Sequence, residues 1–161
     1  MAYLLDANVF ISAKNSHYGF DLCPGFWDWL EQANEAGQIF SVEAVYNEIL
    51  VGDDDLAEWA RDHRAMFLPL TPDELPLVAQ VNRWANDSGD YDPAAKAQFA
   101  AAADSFLIAH ALAGSHTVVT HERVRDARKR IPIPNAATAN GVEFMDPFLM
   151  LRSEGARFVL L

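Results

Sequence analysis

The chain has 161 residues, 51% of them hydrophobic and 22% charged, which is enough apolar material for one packed domain and argues against wholesale disorder. Its formal net charge of −11 argues against a nucleic-acid binder that works by attraction over its whole surface. A single cysteine, Cys23, precludes an internal disulfide, and the first apolar run is broken at once by Asp6 with no basic segment before it. No later run is long enough to span a bilayer, so a cytoplasmic chain without a membrane anchor is expected.

In chain order, Tyr3-Leu4-Leu5 is a short apolar run ending in a carboxylate and is expected to be a buried strand. Asn8 to Ala13 has helical spacing. Pro24 to Ala36 predicts an amphipathic helix, with Pro24 in its first turn, Phe26, Trp27, Leu30 and Ala33 as its stripe, and Gly37 as its stop. Gln38 to Phe40 suits a second strand, and Ser41 is placed to cap a helix carrying Val42, Val45, Tyr46 and Ile49 on one side. Asp55 to His63 and Pro72 to Ala85 are expected helices, the second with Pro76 in its first turn. Asn86 to Gln98, with Ser88-Gly89, three Asp and Pro93, has the composition of an exposed connection.

Ser105 to Ala113 is apolar nearly all round, as a buried helix should be. Thr117 to Thr120 is the clearest strand pattern in the chain. Val142 to Phe144 suits a further strand, Pro147 to Arg152 a last helix and Phe158 to Leu160 a terminal edge strand. Short strands alternating with helices predict an α/β fold over residues 1–161, a short parallel sheet covered on both faces, with sites beyond the carboxyl ends of the strands.

That rule singles out acidic residues. Asp6 follows the first strand directly and Glu122 lies two residues past Thr120, so both emerge on one edge of the sheet. Asp104 begins the buried helix, and Glu48 lies on the helix after Ser41. Oxygen ligands of this kind suit Mg²⁺ or Mn²⁺. Each residue also has a simpler role. Asp6 could bond the next turn, Asp104 could be an N-cap, and Glu122 could pair with Arg125 or Arg128. Glu43 shares the apolar margin of its helix as well as Glu48 does. Five of the twelve basic residues fall between Arg123 and Arg130: Arg123, Arg125, Arg128, Lys129 and Arg130. They form either a local stripe for a phosphate backbone or a solvated surface.

The order and context of these residues resemble the PIN domain. Tyr3-Leu4-Leu5-Asp6-Ala7-Asn8-Val9-Phe10-Ile11 is similar to its opening, Val45-Tyr46-Asn47-Glu48-Ile49 to its second acidic segment, Ala103-Asp104-Ser105-Phe106-Leu107-Ile108-Ala109 to its third, and Val118-Val119-Thr120-His121-Glu122 to its fourth. The tail, with Ile131-Pro132-Ile133-Pro134-Asn135 and Asp146-Pro147-Phe148-Leu149-Met150-Leu151, resembles a PIN-like subgroup of uncharacterised bacterial proteins. The resemblance implies an RNA-cleaving nuclease with one or two divalent metals, Mg²⁺ or Mn²⁺, held by Asp6, Glu48, Asp104 and Glu122. Asn8 would orient the first carboxylate or a metal-bound water. The fourth position departs from the pattern, because PIN domains usually carry Asp or a small polar residue there. Many relatives are toxins of toxin–antitoxin pairs, so a partner protein with a basic segment is also implied. The alternatives are a phosphatase using Asp6 as nucleophile, which Asn8 disfavours, and a non-catalytic binding module. His110, His116 and His121 match no closed zinc spacing. Asp53-Asp54-Asp55 suits a solvated loop with a helix cap, and Phe20, Phe26, Trp27 and Trp29 suit core packing better than base stacking.

Overall fold

In the computed structural model, which describes residues 1–160, Tyr3–Leu5 forms strand β1 with all three side chains buried. Ile39–Val42 (β2) and Thr117–Val119 (β4) pair with it in parallel on its two sides, Tyr3 lying opposite both Ile39 and Thr117. Phe67–Leu68 (β3) extends the sheet beyond β2, and Glu143–Met145 (β5) extends it beyond β4. The order is β3-β2-β1-β4-β5, all parallel, flanked by helices, which is the α/β architecture the alternation predicts. Chain connectivity runs outward from β1 in one direction and then, at β4, in the other. The junction between β1 and β4 is therefore the switch point at which open α/β sheets bind ligands.

The helices are Ala7–Ser12 (α1), Pro24–Glu35 (α2), Glu43–Val51 (α3), Asp55–Asp62 (α4), Leu75–Asp87 (α5), Pro93–Ala101 (α6), Ala103–Gly114 (α7), Ile133–Ala139 (α8) and Pro147–Ser153 (α9). A π-helical stretch, Ala13–His17, prolongs α1. The stripe read from α2 is the buried one, Phe26, Trp27, Leu30 and Ala33. α7 buries Leu107, Ile108, Ala109 and Ala111, as expected of a helix that is apolar around its circumference. These side chains join Leu4, Leu5, Phe10, Ile39, Val118 and Ile131 in the core, each worth about 1.5–3 kcal/mol of burial. Trp27 is buried against Phe20, Phe26 and Trp59, so Phe26 and Trp27 are core, with Phe20 and Trp29 partly buried against it. Asp54 caps α4 through the Ala57 N–H at 3.1 Å and pairs with Lys14 at 2.9 Å.

Three expectations need correction. Ser41 does not cap α3: it is the third residue of β2, and its buried hydroxyl donates to Leu5 O at 2.6 Å, leaving Val42 at the N-cap. Asn86 to Gln98 is no simple connection, because α5 continues to Asp87 and α6 starts at Pro93. Ala95 and Phe99, four residues apart, bury one face of α6 and outweigh the neighbouring turn formers. Phe158 to Leu160 forms no strand. The two-residue β3 and the Ala-rich α8 were not anticipated at all.

Candidate active site

The β1–β4 ladder carries one residue past the strand, where the Asp6 N–H donates to Val119 O at 3.0 Å. Asp6 then starts α1 as its N-cap without capping it through its side chain. Its carboxylate stays at the sheet edge, only 4% exposed, and Oδ2 accepts the Thr120 hydroxyl at 3.1 Å. Burial pushes the Asp6 pKa up to about 6, the charges of Glu122 and Glu48 add to the rise, and the Thr120 hydroxyl and Ala7 amide oppose it. Thr120, fully buried at the end of β4, also accepts the Glu122 N–H at 3.1 Å. It orients the Asp6 carboxylate, one of the two roles expected of Asn8, which is exposed at the cleft and makes no bond to Asp6. The repeated Thr closing Thr117-Val-Val-Thr120, on the strand beside β1, was the available signal for this residue.

Ala102, not Asp104, is the N-cap of α7. Asp104 sits in the first helical turn and accepts no hydrogen bond among the described residues. Burial, followed by the charges of Asp6, Glu122 and Glu48, pushes its pKa up to about 7, while Arg130 pulls it down. Two neighbouring acids are thus held in a setting that penalises their charge, the electrostatic pattern of many functional sites.

Asp6, Asn8, Glu48, Asp104 and Arg130 line one polar cleft of about 210 Å³, walled on another side by Gln98 and Phe99 of α6. The ambiguity between Glu48 and Glu43 is resolved by placement. Glu48 borders the cleft and its Oε1 accepts the Ala103 N–H at 3.0 Å, tying α3 to the start of α7, whereas Glu43 pairs with Arg64 at 3.3 Å. Glu122 is drawn the other way. Its Oε2 accepts the Ile133 N–H at 2.8 Å, and its buried Oε1 faces the Arg130 guanidinium in an ion pair rather than a hydrogen bond of good geometry.

The five basic residues do not form one stripe. Arg130 lines the cleft, Arg128 pairs with Asp92 at 3.7 Å, and Arg123 borders a separate recess with His121. Arg125 is held through its backbone, which exchanges two bonds with the Asn135 amide at 3.2 and 2.8 Å. The segment is an exposed loop rather than a helix, so its side chains point in several directions.

Carboxylate oxygens are the donors that Mg²⁺ and Mn²⁺ take. Among the described residues no three His, Cys, Asp or Glu side chains are gathered closely enough to hold an ion between them. Glu48 and Glu122 are partly committed elsewhere, which leaves Asp6 and Asp104 as the acids that fit. Mg²⁺ commonly binds through one or two carboxylates, waters and substrate phosphates, so the donor set fits such a cation. The histidines do not converge: His110 stacks on His116 and His121 on His17.

The model of the family described as Domain of unknown function (DUF4411) matches residues 3–158. The chain belongs to the DUF4411 family. No curated protein matches it significantly. The matched span of this DUF4411 chain includes all five β-strands and all four acids, so the cleft lies wholly within the family's domain. No helix among its described residues is long and apolar enough to cross a membrane.

Proposed function

We propose that this DUF4411 chain is a PIN-like endoribonuclease that hydrolyses RNA phosphodiesters with a divalent metal, Mg²⁺ or Mn²⁺. The observation that carries the reading is the pair Asp6 and Asp104, two acids in one polar cleft at the β1–β4 switch point, each with its pKa raised by burial and by the other acids. A site that penalises both charges is stabilised by a cation, which returns the lost solvation as direct ligation. A divalent ion held there by Asp6 and Asp104 would supply charge stabilisation to the phosphate and would make water a better nucleophile.

The chain's own groups do the positioning. Thr120 fixes the rotamer of Asp6. Glu48 holds the start of α7 against α3, which sets the height of Asp104 over the cleft, and its second oxygen remains for the cation or its waters. Arg130 provides the cation nearest the cleft for a phosphate oxygen and keeps Glu122 neutralised until substrate arrives. The remaining basic loop residues guide the RNA backbone toward an otherwise acidic body.

We further propose a toxin role with a protein antitoxin. The Arg130–Glu122 pair supports it, since a guanidinium is already tolerated among these acids and a partner's basic segment would compete with metal by the same pairing. The enzymatic reading is tested by mapping cleavage of total cellular RNA with Mn²⁺ and identifying the new termini. Hydrolysis with a cation held at Asp6 and Asp104 would leave a 5′-phosphate and 3′-hydroxyl, whereas 2′,3′-cyclic phosphate ends would contradict hydrolysis by this route.

A further inference from the structure

A second recess opens on the carboxyl edge of the sheet, across the α3–α7 seam from the acidic cleft. Val42 and Leu68 close β2 and β3 beside it, Leu70 follows, and Phe106 of α7 contributes an aromatic side chain. Its walls are mainly apolar and it encloses about 260 Å³. That is below the roughly 300–1,000 Å³ of pockets for drug-sized ligands and suits a single flat ring system better than a peptide segment.

Three polar side chains reach this recess: Glu43, which pairs with Arg64 at 3.3 Å, and Asn47 and His110, each of which keeps a polar atom without a hydrogen bond among the described residues. The Asn47 amide, exposed on α3, makes no hydrogen bond among the described residues, so its donor and acceptor are both open. His110 is held by design. Its Nδ1 lies 2.5 Å from Glu74, a carboxylate only 6% exposed whose other oxygen accepts the Thr71 N–H at 2.9 Å, and its ring stacks on His116 at 5.7 Å. A buried carboxylate is costly unless paired, and here it fixes the imidazole and leaves Nε2 as the uncommitted nitrogen.

The recess and the cleft share their walls. Asn47 precedes Glu48 on α3, Phe106 lies two residues after Asp104 on α7, and the Glu48–Ala103 bond joins the helices between them. We propose that this recess is a nucleobase subsite for single-stranded RNA, in which Phe106 and the leucines bear on the ring while Asn47 and His110 Nε2 hydrogen-bond its edge. Unstacked bases are ordinarily read this way, by contact with an aromatic face and hydrogen bonds to an edge, and an amide supplies the paired donor and acceptor that a base edge matches. An apolar peptide side chain would fill the walls but leave both polar groups unsatisfied. The placement next to the scissile phosphate rests on the nuclease reading, whereas binding of the base itself needs no metal.

The test titrates the full chain in EDTA with the 5′-monophosphates of adenosine, guanosine, cytidine and uridine, followed by NMR of backbone amides and the Asn47 side-chain amide. At least one nucleotide is expected to give saturable shifts at Asn47, Phe106 and His110. Asn47→Leu, at an exposed position, should weaken that binding about tenfold, the worth of one or two neutral hydrogen bonds. Absence of such shifts for all four nucleotides, shifts confined to Arg123 and Arg130, or binding unchanged in folded Asn47→Leu would overturn the subsite. Nucleotide binding at Asn47 without any RNA cleavage would sustain the subsite and remove the nuclease. Cleavage without nucleotide binding would do the reverse.

Discussion

The Thr120 hydroxyl donates to Asp6 Oδ2 at 3.1 Å while accepting the Glu122 N–H at the same distance, so one buried side chain connects two of the acids at the β1–β4 junction. A β-branched residue with few rotamers is well suited to that task, because its position on the strand fixes the hydroxyl. Thr120→Val keeps the shape and removes both bonds. It should cost about 1–3 kcal/mol of stability, through the unpaired Glu122 N–H and the less stabilised carboxylate, and should raise the Asp6 pKa above its present value of about 6. Thr120→Ser should recover most of both. Thermal denaturation and NMR titration of the Asp6 carboxyl check this.

The raised pKa values give the metal-free protein a definite pH dependence. Asp6 and Asp104 move from the ordinary 3.8 to about 6 and about 7, so the folded state holds their protons more tightly than the unfolded chain. Their favourable contribution is complete below about pH 4, is lost as pH rises toward 7, and changes little above that. For Asp6 alone the loss is about 3 kcal/mol. In EDTA the melting temperature should therefore fall between pH 4.5 and 7.5 relative to Asp104→Asn, which should be flatter and more stable at the upper end. Mn²⁺ should restore the wild type at pH 7.5 and have little effect on Asp104→Asn.

The two glutamates of α3 should separate cleanly. Glu48→Gln keeps an oxygen for the Ala103 N–H, so the fold should survive while cleavage falls at least tenfold through loss of charge beside the cleft. Glu43→Gln removes only a half-exposed ion pair with Arg64 and should change stability by less than about 1 kcal/mol. Parallel melting curves and cleavage rates on one RNA substrate decide the matter. Equal loss of activity at Glu43 would place the site on the wrong margin of α3.

Within the basic loop the expected effects differ by position. Arg125 and Lys129 make no ion pair among the described residues, and replacing both with Ala should lower RNA affinity uniformly. The salt slope should fall by about 0.7 for each lost contact. Arg130→Ala should instead act on turnover more than on affinity, because Arg130 lines the cleft and holds Glu122. Filter binding at several salt concentrations beside single-turnover cleavage separates the two behaviours.

Most of this organisation can be read from residues 1–161 alone, for identifiable reasons. β1 and β4 are apolar on both faces because they lie inside a parallel sheet, and that continuity marks them in the sequence. α2 and α7 announce themselves by a stripe and by an all-apolar circumference. β3 could not be read, since two residues carry no period. Ser41 has the chemistry of a cap but is used for a strand-to-strand bond to Leu5, a tertiary use that local preference does not register. Asp6 and Glu122 stood out through their positions just past strand ends, whereas Asp104 and Glu48 were singled out by their places on helices and by the PIN resemblance. Thr120 showed only as the Thr that closes its strand pattern, and its contacts and the Arg130–Glu122 pair did not show at all, because they depend on how β4 and the loop after it fold back toward α8.

The most direct test of the central claim measures RNA cleavage by the purified chain in four conditions: stripped of metal in EDTA, after addition of Mn²⁺, and the same two with Asp6→Asn, with melting curves confirming that both proteins are folded. The account predicts no cleavage in EDTA, recovery with Mn²⁺ accompanied by a higher melting temperature, and no cleavage by Asp6→Asn in either condition. Full cleavage in EDTA with metal content confirmed absent, or undiminished cleavage by Asp6→Asn, would contradict it.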